Sequence, residues 1–389
     1  MKQGYKQTEI GVIPEDWNCI ATKYLMKIET GSRNTEHKTD TGKYPFFVRS
    51  KKIERIDTYH YDCEAVLTAG DGVGTGKVFH HYIGKFDAHQ RVYVMSNFDG
   101  ITGRYFYNYF SENFGNEVFK YTAKSSVDSV RRDMIAEMII PLPPLPEQER
   151  IAEALSDVDN MIISLEKLIA KKKAIKQGAM QELLTGNKRL HGFSVEWYET
   201  TLGEHCDVFD GTHQTPHYTM TGIPFYSVEN VTSNDFYNTK YITIEEHQKL
   251  TTKYKIEQGD ILMTRIGSIG DCKYIDWDVN ASFYVSLALI KCKNTIDSHF
   301  LSYYSMSEYF KKELDIRSLL TAIPQKINLG PISEIQLKIP SDINEQTAIA
   351  SILSDMDSEI EALEEKLKKT RQVKQGMMQE LLTGRIRLV

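Results

Sequence analysis

Met180-Gln181-Glu182-Leu183-Leu184-Thr185-Gly186 recurs unchanged as Met378-Gln379-Glu380-Leu381-Leu382-Thr383-Gly384. The repeat extends well beyond this run, because residues 147–190 align without a gap to residues 345–388, and 24 of the 44 aligned residues are identical. Identity at this level marks an internal duplication. The chain therefore carries two copies of one segment, and their periodicity is that of a helix.

Both copies contain an apolar seam typical of a coiled coil. Apolar residues follow one another at alternating spacings of four and three positions, the a/d pattern of a heptad repeat. In each copy a glycine then follows Leu-Leu-Thr, where a C′ glycine ends a helix. The predicted seam comprises Ile151, Leu155, Val158, Ile162, Leu165 and Ile169 in the first copy and Ile349, Leu353, Met356, Ile360, Leu363 and Leu367 in the second.

Charge predicts how the two helices pair. Residues 147–166 hold six acids and one base, whereas residues 167–189 hold seven bases and one acid. The second copy repeats this division, with seven acids in residues 345–365 and seven bases against one acid in residues 366–387. Antiparallel pairing places each acidic half beside a basic half, so we expect one antiparallel coiled coil. The alternative is two amphipathic helices, each packed on its own globular block.

The helical segments, residues 147–190 and 345–389, each follow a globular block, residues 1–146 and 191–344. The blocks read as distant copies of one another that mix aromatic-rich strands with short helices, which predicts the α+β class. We expect two homologous α+β domains joined by two long helices, a pseudo-two-fold internal repeat. The matched segments are Gly31-Ser32-Arg33 with Gly211-Thr212-His213, and Tyr44-Pro45-Phe46-Phe47 with Ile223-Pro224-Phe225-Tyr226.

Composition limits the class of protein. With 41% hydrophobic residues the 389-residue chain can build real cores, and its net charge of −6 is unlike that of a protein that coats nucleic acid indiscriminately. The acidity lies in residues 191–344, with 13 bases and 20 acids. No apolar run is long enough to span a membrane, and the polar start is unlike a signal peptide. The five cysteines are scattered, so we expect reduced thiols and a cytoplasmic protein.

Several motifs imitate catalytic or ligand-binding sites. Residues 71–77, Asp-Gly-Val-Gly-Thr-Gly-Lys, resemble a phosphate-binding loop, but a strand-like run follows where such a loop needs a helix, which favours a hairpin turn. Asp260 with Asp271-Cys272-Lys273 imitates the carboxylates of metal-dependent nucleases, without an acidic pair at the matching place in the first block. His80-His81 and His213 with His217 fit loop residues better than metal ligands. We therefore expect no catalytic group and no metal site in this chain.

Local clusters of cations are the remaining signal. Arg and Gln read guanine and adenine edges, whereas Lys mainly contacts phosphate. A solvated surface charge is the common alternative for any one of these residues, and only the repeated architecture favours DNA. The candidate DNA-binding residues are Ser32, Arg33, Arg49, Lys51, Lys52, Arg55, Lys77, Gln90 and Arg91 in the first block, and Thr212, His213, Gln214, Arg265, Lys273, Gln325 and Lys326 in the second.

Over its full length the chain resembles the specificity subunit of Type I restriction–modification enzymes. The resemblance lies in the opening run from Tyr5 to Trp17, in Pro143-Pro144-Leu145-Pro146-Glu147-Gln148 before the first helix, and in the two Met-to-Gly helix ends. The second helix departs from the pattern, because Ile339-Pro340-Ser341-Asp342 precedes it in place of the proline-rich form.

This resemblance implies a function. Each globular block would be a target-recognition domain that reads one half of a split sequence in double-stranded DNA. The coiled coil would space the two domains and dock two modification subunits. The chain would bind no cofactor: S-adenosylmethionine, ATP and Mg²⁺ would belong to the modification and motor-nuclease subunits, and the specificity subunit would be non-catalytic. The alternatives are a stand-alone DNA-binding protein and a coiled-coil scaffold without an associated methyltransferase.

Overall fold

The structure is a computed structural model that describes residues 3–122 and 129–389. It divides into two compact units, Met1–Lys167 with Glu364–Val389 (unit 1) and Leu168–Leu363 (unit 2). Each unit thus combines one globular block with parts of both helical segments. The division by chain order into residues 1–146, 147–190, 191–344 and 345–389 stays a prediction.

The globular part of unit 1 is built around one twisted sheet. Six strands lie in the order β4-β9-β7-β8-β5-β6, and all neighbours are antiparallel except β5 with the end of β8. The elements are β1 (Tyr5–Thr8), β2 (Gly11–Pro14), β3 (Asn18–Ala21), β4 (Lys27–Thr30), β5 (Tyr44–Phe47), β6 (Glu54–Ile56), β7 (Tyr61–Ala69), β8 (Phe79–Ala88), β9 (Val92–Ser96), α1 (Gly103–Thr122), α2 (Arg132–Ala136) and β10 (Ile139–Leu142).

The core of unit 1 explains this arrangement. Strand β7 is central and its Ala65-Val66-Leu67 run is fully buried, as expected for a strand covered on both faces. Helix α1 contributes a row of stacked rings, Phe106, Phe110 and Phe114, whose centroids lie 5.0 and 4.4 Å apart along the row. Residues four positions apart share one helix face, so the sequence of α1 places these rings in a single apolar stripe.

The long helix α3 (Leu145–Leu183) follows, and unit 2 then repeats the plan of unit 1. Its elements are β11 (Trp197–Thr201), α4 (Leu202–His205), β12 (Cys206–Asp210), β13 (Ile223–Tyr226), α5 (Val228–Ser233), β14 (Lys240–Ile242), α6 (Ile244–Leu250), β15 (Ile261–Thr264), β16 (Cys272–Tyr274), β17 (Ser282–Phe283), β18 (Leu287–Cys292), α7 (Ser298–Tyr304), α8 (Glu308–Arg317), α9 (Leu329–Ser333) and β19 (Gln336–Pro340), followed by the long helix α10 (Ile343–Leu381).

The strand order of unit 2 matches that of unit 1 once β16 and β17 are taken together as the counterpart of β8. A four-stranded sheet β12-β18-β15-β16 accompanies a three-stranded sheet β14-β13-β17, in which β13 and β17 are parallel like β5 and β8. The counterpart of β8 is interrupted between β16 and β17, where Asp276, Asp278 and Asn280 lie, because strands disfavour aspartate and asparagine. The expected α+β class and internal repeat are confirmed.

The two long helices pair antiparallel, as their charges predict. In unit 1 the acidic half of α3 contacts the basic half of α10, and in unit 2 the basic half of α3 contacts the acidic half of α10. The ion pairs are Glu166–Arg371 and Asp159–Lys374 in unit 1, each at 2.6 Å, and Lys172–Glu359 at 2.6 Å and Lys176–Asp357 in unit 2.

Burial follows the predicted seam. All twelve seam side chains are buried or half-buried, and Ile151, Leu155, Ile349 and Leu353 join the cores of their own units. The helices end at Leu183 and Leu381, the first of the two leucines in the repeated run. Gly186 and Gly384 follow three residues later with φ of +73° and +70°. The left-handed conformation explains why the repeat keeps glycine there. Among the described helices, none combines the length and apolar character needed to cross a membrane.

Candidate nucleic-acid interface

Three loops of unit 1 bring two arginines onto one carboxylate. Arg49 follows β5, Asp71 follows β7, and Arg91 lies in the turn between β8 and β9. Arg49 Nη1 donates to Asp71 Oδ1 at 2.9 Å, and Arg91 Nε lies 3.7 Å from Asp71 Oδ2. Both arginine side chains stay about half exposed or more, at 49% and 66%. Asp71 therefore holds two guanidinium groups side by side at the end of the sheet.

A second polar group lies in the adjoining turns. Arg33 Nε donates to the fully buried Asp87 at 2.9 Å, and Gln90 Nε2 donates to Asn34 Oδ1 at 2.6 Å. The backbone joins them, because Gln90 N donates to Arg33 O at 2.8 Å. Ser32 is exposed beside this group. Of the first block's candidates, Ser32, Arg33, Arg49, Gln90 and Arg91 thus lie on loops at one end of the sheet.

Glycine makes this backbone approach possible in both units. A Cβ added to Gly31 would lie 2.1 Å from Ala88 O, and one added to Gly211 would lie 2.2 Å from Phe283 O. No side chain fits at either distance. The glycines that the sequence comparison matched are therefore the same structural feature, a loop pressed against a neighbouring strand.

The other first-block candidates differ in how they can act. Lys51, Lys52 and Lys77 have exposed side chains, and Lys52 lies 3.1 Å from Glu54. Arg55 instead donates to Gly42 O at 2.8 Å and to Lys43 O at 3.0 Å. Arg55 thus holds the loop before β5 and has fewer donors left for a ligand.

The glycine-rich segment after β7 is a hairpin loop, as the sequence favours. It contains one 3₁₀ turn, Gly72–Gly74, and leads directly into β8, which pairs antiparallel with β7. Thr68 Oγ1 donates to Val78 O at 3.0 Å and closes the base of the loop. Because no α-helix begins here, the loop lacks the helix N-terminus that a phosphate-binding loop requires.

In unit 2 the loop after β12 carries the matching candidates. Thr212 Oγ1 donates to Gln214 O at 3.1 Å, which folds the loop back on itself. His213 Nε2 lies 2.7 Å from Asp210 Oδ2 with 70% of its side chain exposed, and Gln214 is exposed. This loop therefore presents an imidazole and an amide to solvent.

Arg265 does not present its guanidinium to the surface, contrary to the sequence prediction. The residue is 5% exposed, and its Nε and Nη1 donate to Val285 O at 2.9 Å and to Ile327 O at 3.1 Å. Nη2 lies 3.4 Å from Asp210 Oδ2. Burial lowers the pKa of Arg265, and Asp210 opposes that change. In this structure Arg265 connects the end of β12 with the loops that carry Val285 and Ile327, and has a structural role.

The remaining candidates of unit 2 lie near the turn that follows β15 and begins at Arg265. Gly267 N donates to Gln325 O at 2.8 Å, so the backbone at Gln325 lies against the turn after β15, and the side chains of Gln325 and Lys326 are exposed. Lys273, on β16, lies 5.6 Å from the ring centroid of Trp277. A cation–π contact of this kind leaves the ammonium partly available.

The nuclease-like carboxylates are not assembled with Lys273. Asp260 pairs with Lys291 at 2.7 Å, and Asp271 accepts a hydrogen bond from Ser268. Burial raises the pKa of Asp260, and Lys291 opposes the rise. Asp260 is therefore a buried ion-pair partner.

Comparison with known proteins assigns the family. The family model for the Type I restriction modification DNA specificity domain matches residues 14–177 and again residues 194–372. The chain belongs to this family. It is 26% identical, over its whole length and 97% of the relative, to the Type I restriction enzyme MjaVIII specificity subunit of Methanocaldococcus jannaschii. It is 24% identical to the EcoDI specificity subunit of Escherichia coli, over 85% of this chain and 79% of that one.

Solved structures show the same fold. The chain is similar to the crystal structure of a Type I restriction–modification S subunit from M. genitalium, with a TM-score of 0.66 and 18% identity over 98% of this chain and 99% of that one. The HsdS subunit of Thermoanaerobacter tengcongensis gives a TM-score of 0.51 at 14% identity, over 96% and 98% of the two chains.

The two specificity domains share a feature whose role the sequence did not reveal. Each long helix carries Glu-Gln in its first turn. In unit 1 the glutamine, Gln148, accepts from Thr102 N at 2.9 Å and donates to Pro143 O at 2.9 Å and to Gly100 O at 3.0 Å. In unit 2 Gln346 likewise accepts from Asp297 N and donates to Pro340 O, the carbonyl that precedes its own helix, each at 2.8 Å. The repeated glutamine thus attaches the helix to its domain.

The repeated glutamate binds an arginine from the end of the other helical segment. In unit 1 the carboxylate of Glu147 accepts from Arg387 Nε at 2.6 Å, from Arg387 Nη2 at 2.8 Å and from Trp17 Nε1 at 3.0 Å. Asp16 also accepts from Arg387, at 2.8 Å. Glu147 and Asp16 raise the pKa of Arg387, and Arg387 lowers the pKa of Asp16.

Unit 2 repeats the pair with fewer contacts. Glu345 accepts from Arg189 Nε at 2.6 Å and from Arg189 Nη2 at 2.7 Å, while Trp197 Nε1 has no partner among the described residues. The sequence did mark these arginines as matched, because Arg189 and Arg387 are aligned and identical in the repeat. The sequence did not show what they bind.

Proposed function

We propose that this chain is the sequence-specific DNA-recognition subunit of a Type I restriction–modification complex, in which each globular domain reads one half of a bipartite target. The supporting observation is the repeated one: both units of this family member carry polar and cationic side chains on loops at the ends of matching strands. Loops on a rigid sheet can meet base edges while the sheet holds them in place.

The residues divide by chemistry. In the first domain Arg49, Arg91 and Gln90 are suited to base edges, because guanidinium and amide groups can make bidentate hydrogen bonds there. Ser32 and the exposed Lys51, Lys52 and Lys77 are suited to phosphate oxygens. Arg33 and Arg55 position the loops from which the others act.

In the second domain a different set acts. His213, Gln214 and Gln325 are suited to base edges. Thr212, Lys273 and Lys326 are suited to the phosphates of the DNA backbone. This set contains no arginine, whereas the first domain's set contains Arg49 and Arg91, because Arg265 is buried. The domain's excess of acids over bases agrees with weak intrinsic affinity for phosphate.

The paired helices set the distance between the two half-sites and dock two modification subunits. A coiled coil suits this role, because its seam fixes the pairing of the helices while its outer faces remain free for partners. The partners supply the chemistry: the modification subunits bind S-adenosylmethionine and methylate the DNA, and the restriction subunits use ATP and Mg²⁺. This chain supplies no catalytic group and binds no cofactor, and the complex acts on cytoplasmic DNA.

Binding to duplex DNA, measured over a range of salt concentrations, tests this proposal. We expect the chain reconstituted with its modification subunits to bind target DNA tightly, with an affinity that falls steeply as salt rises, and the chain alone to bind weakly. Tight specific binding by the isolated chain would support a stand-alone DNA-binding protein. Salt-insensitive or absent binding by the complex would instead support a protein scaffold.

A further inference from the structure

The tip of the glycine-rich hairpin loop of unit 1 is an exposed apolar side chain. Val73 is 98% exposed at the centre of the Gly72–Gly74 turn. Turns of this kind favour glycine, asparagine, aspartate and serine, and a valine there makes no use of its apolar surface within the fold. Its position therefore suggests contact with a molecule outside the chain.

The loop that carries Val73 is firmly anchored. Gly74 O accepts from Lys77 N and Val78 N, each at 3.0 Å, and Thr75 N donates to Gly72 O at 3.1 Å. A Cβ added to Gly74 would lie 2.3 Å from Arg49 O, so the loop is pressed against the chain that carries Arg49. Because valine has few χ1 rotamers, ordering its side chain on contact costs little conformational entropy.

The surroundings of the loop are polar and cationic. Asp71 lies one residue before the turn, and its carboxylate is 2.9 Å from Arg49 Nη1 and 3.7 Å from Arg91 Nε. The exposed Lys77 lies three residues after the end of the turn at Gly74. An apolar tip beside two guanidinium groups suited to base edges and an ammonium suited to phosphate matches a DNA groove, where base edges lie between the phosphates. In the major groove the only apolar group on a base edge is the 5-methyl of thymine.

We infer that Val73 is a specificity-determining residue that contacts a thymine 5-methyl group in the half-site read by the first domain. The inference rests on the proposed function and names one of its base contacts. Insertion between stacked bases is the less suitable role, because side chains that wedge base steps apart are mostly longer, such as Phe, Leu, Ile and Met. In unit 2 the matching turn offers no equivalent tip, since Ile269 there is half-buried against the core.

Duplexes that lack single thymine methyl groups test the inference. The methylated target is first mapped, and each thymine of both half-sites is then replaced in turn by deoxyuridine. The reconstituted complex is assayed for binding with the native chain, with Val73→Ser, which removes both methyl groups and is a residue that such turns favour, and with Ile83→Ala. Ile83 is the matched control, since it is an exposed apolar residue of β8 away from the loop.

We expect one thymine, in one half-site, at which deoxyuridine weakens binding of the native complex by about three- to ten-fold, the contribution of one or two buried methyl groups. Val73→Ser abolishes this difference, and Ile83→Ala retains it. If Val73→Ser discriminates at every thymine as the native chain does, the inference is wrong and the proposed function stands. A native complex that does not prefer its mapped target over a scrambled duplex overturns both.

Discussion

Glu147→Ala destabilises unit 1 by about 3 kcal/mol, the cost of removing one partner from a buried ion pair. Glu147 is 3% exposed, and its loss leaves the Arg387 guanidinium and the Trp17 indole N–H without the acceptor that both now share. The variant also weakens the attachment of Arg387 to the first domain, because Asp16 is then its one remaining acidic partner among the described residues.

Urea unfolding followed by circular dichroism measures the loss, and hydrogen exchange assigns it to unit 1. Glu166→Ala is the matched control, an acid-to-alanine change on the same helix whose ion pair with Arg371 is exposed; we expect a change within about 0.5 kcal/mol. Glu345→Ala should cost less than Glu147→Ala, because Glu345 accepts no bond from Trp197. Equal, small effects of the Glu147 and Glu166 changes would contradict this account of the contact.

Lengthening both helices moves the two half-sites apart on the DNA. One extra heptad after Lys167 and one after Lys366 adds about 10 Å of helix to each strand of the coiled coil while keeping the a/d seam in phase. With base pairs stacked about 3.4 Å apart, we expect the unread gap to grow by about two to three base pairs, with both half-sites unchanged. Mapping of methylated bases in cells that express the variant with its partners measures the gap.

The control for this change keeps the length constant. Residues 168–174 are replaced by the same designed heptad that the longer variant carries, and the gap should then equal that of the native chain. A gap that stays the same in the longer variant, while methylation persists, would show that the coiled coil does not set the spacing.

Helix pairing was predictable because its signals are local. The seam and the separation of charge lie within single segments, and pairs such as Asp159–Lys374 follow once the helices are antiparallel. The glycine pair Gly31 and Gly211 was also visible as a match between blocks. The reason that both positions need glycine was not visible in the sequence, because the carbonyl that excludes a side chain belongs to a strand more than fifty residues away.

Individual side chains of the sheet loops were less predictable. Arg265 reads as a surface cation in the sequence, yet its partners Val285 and Ile327 are brought together only by the folded sheet. Cys206 and Cys292, far apart in the chain, face each other across β12 and β18 with 3.4 Å between sulfurs. Such contacts depend on strand register, which composition and spacing do not determine.

The most direct test of the central claim is to map methylated bases in the genome of cells that express this chain with its modification subunits, before and after residues 1–146 are exchanged for those of a relative. The account predicts a bipartite motif with a fixed gap, in which the exchange alters one half-site and leaves the other half-site and the gap unchanged. A single contiguous motif, or an exchange that alters both halves, would contradict it.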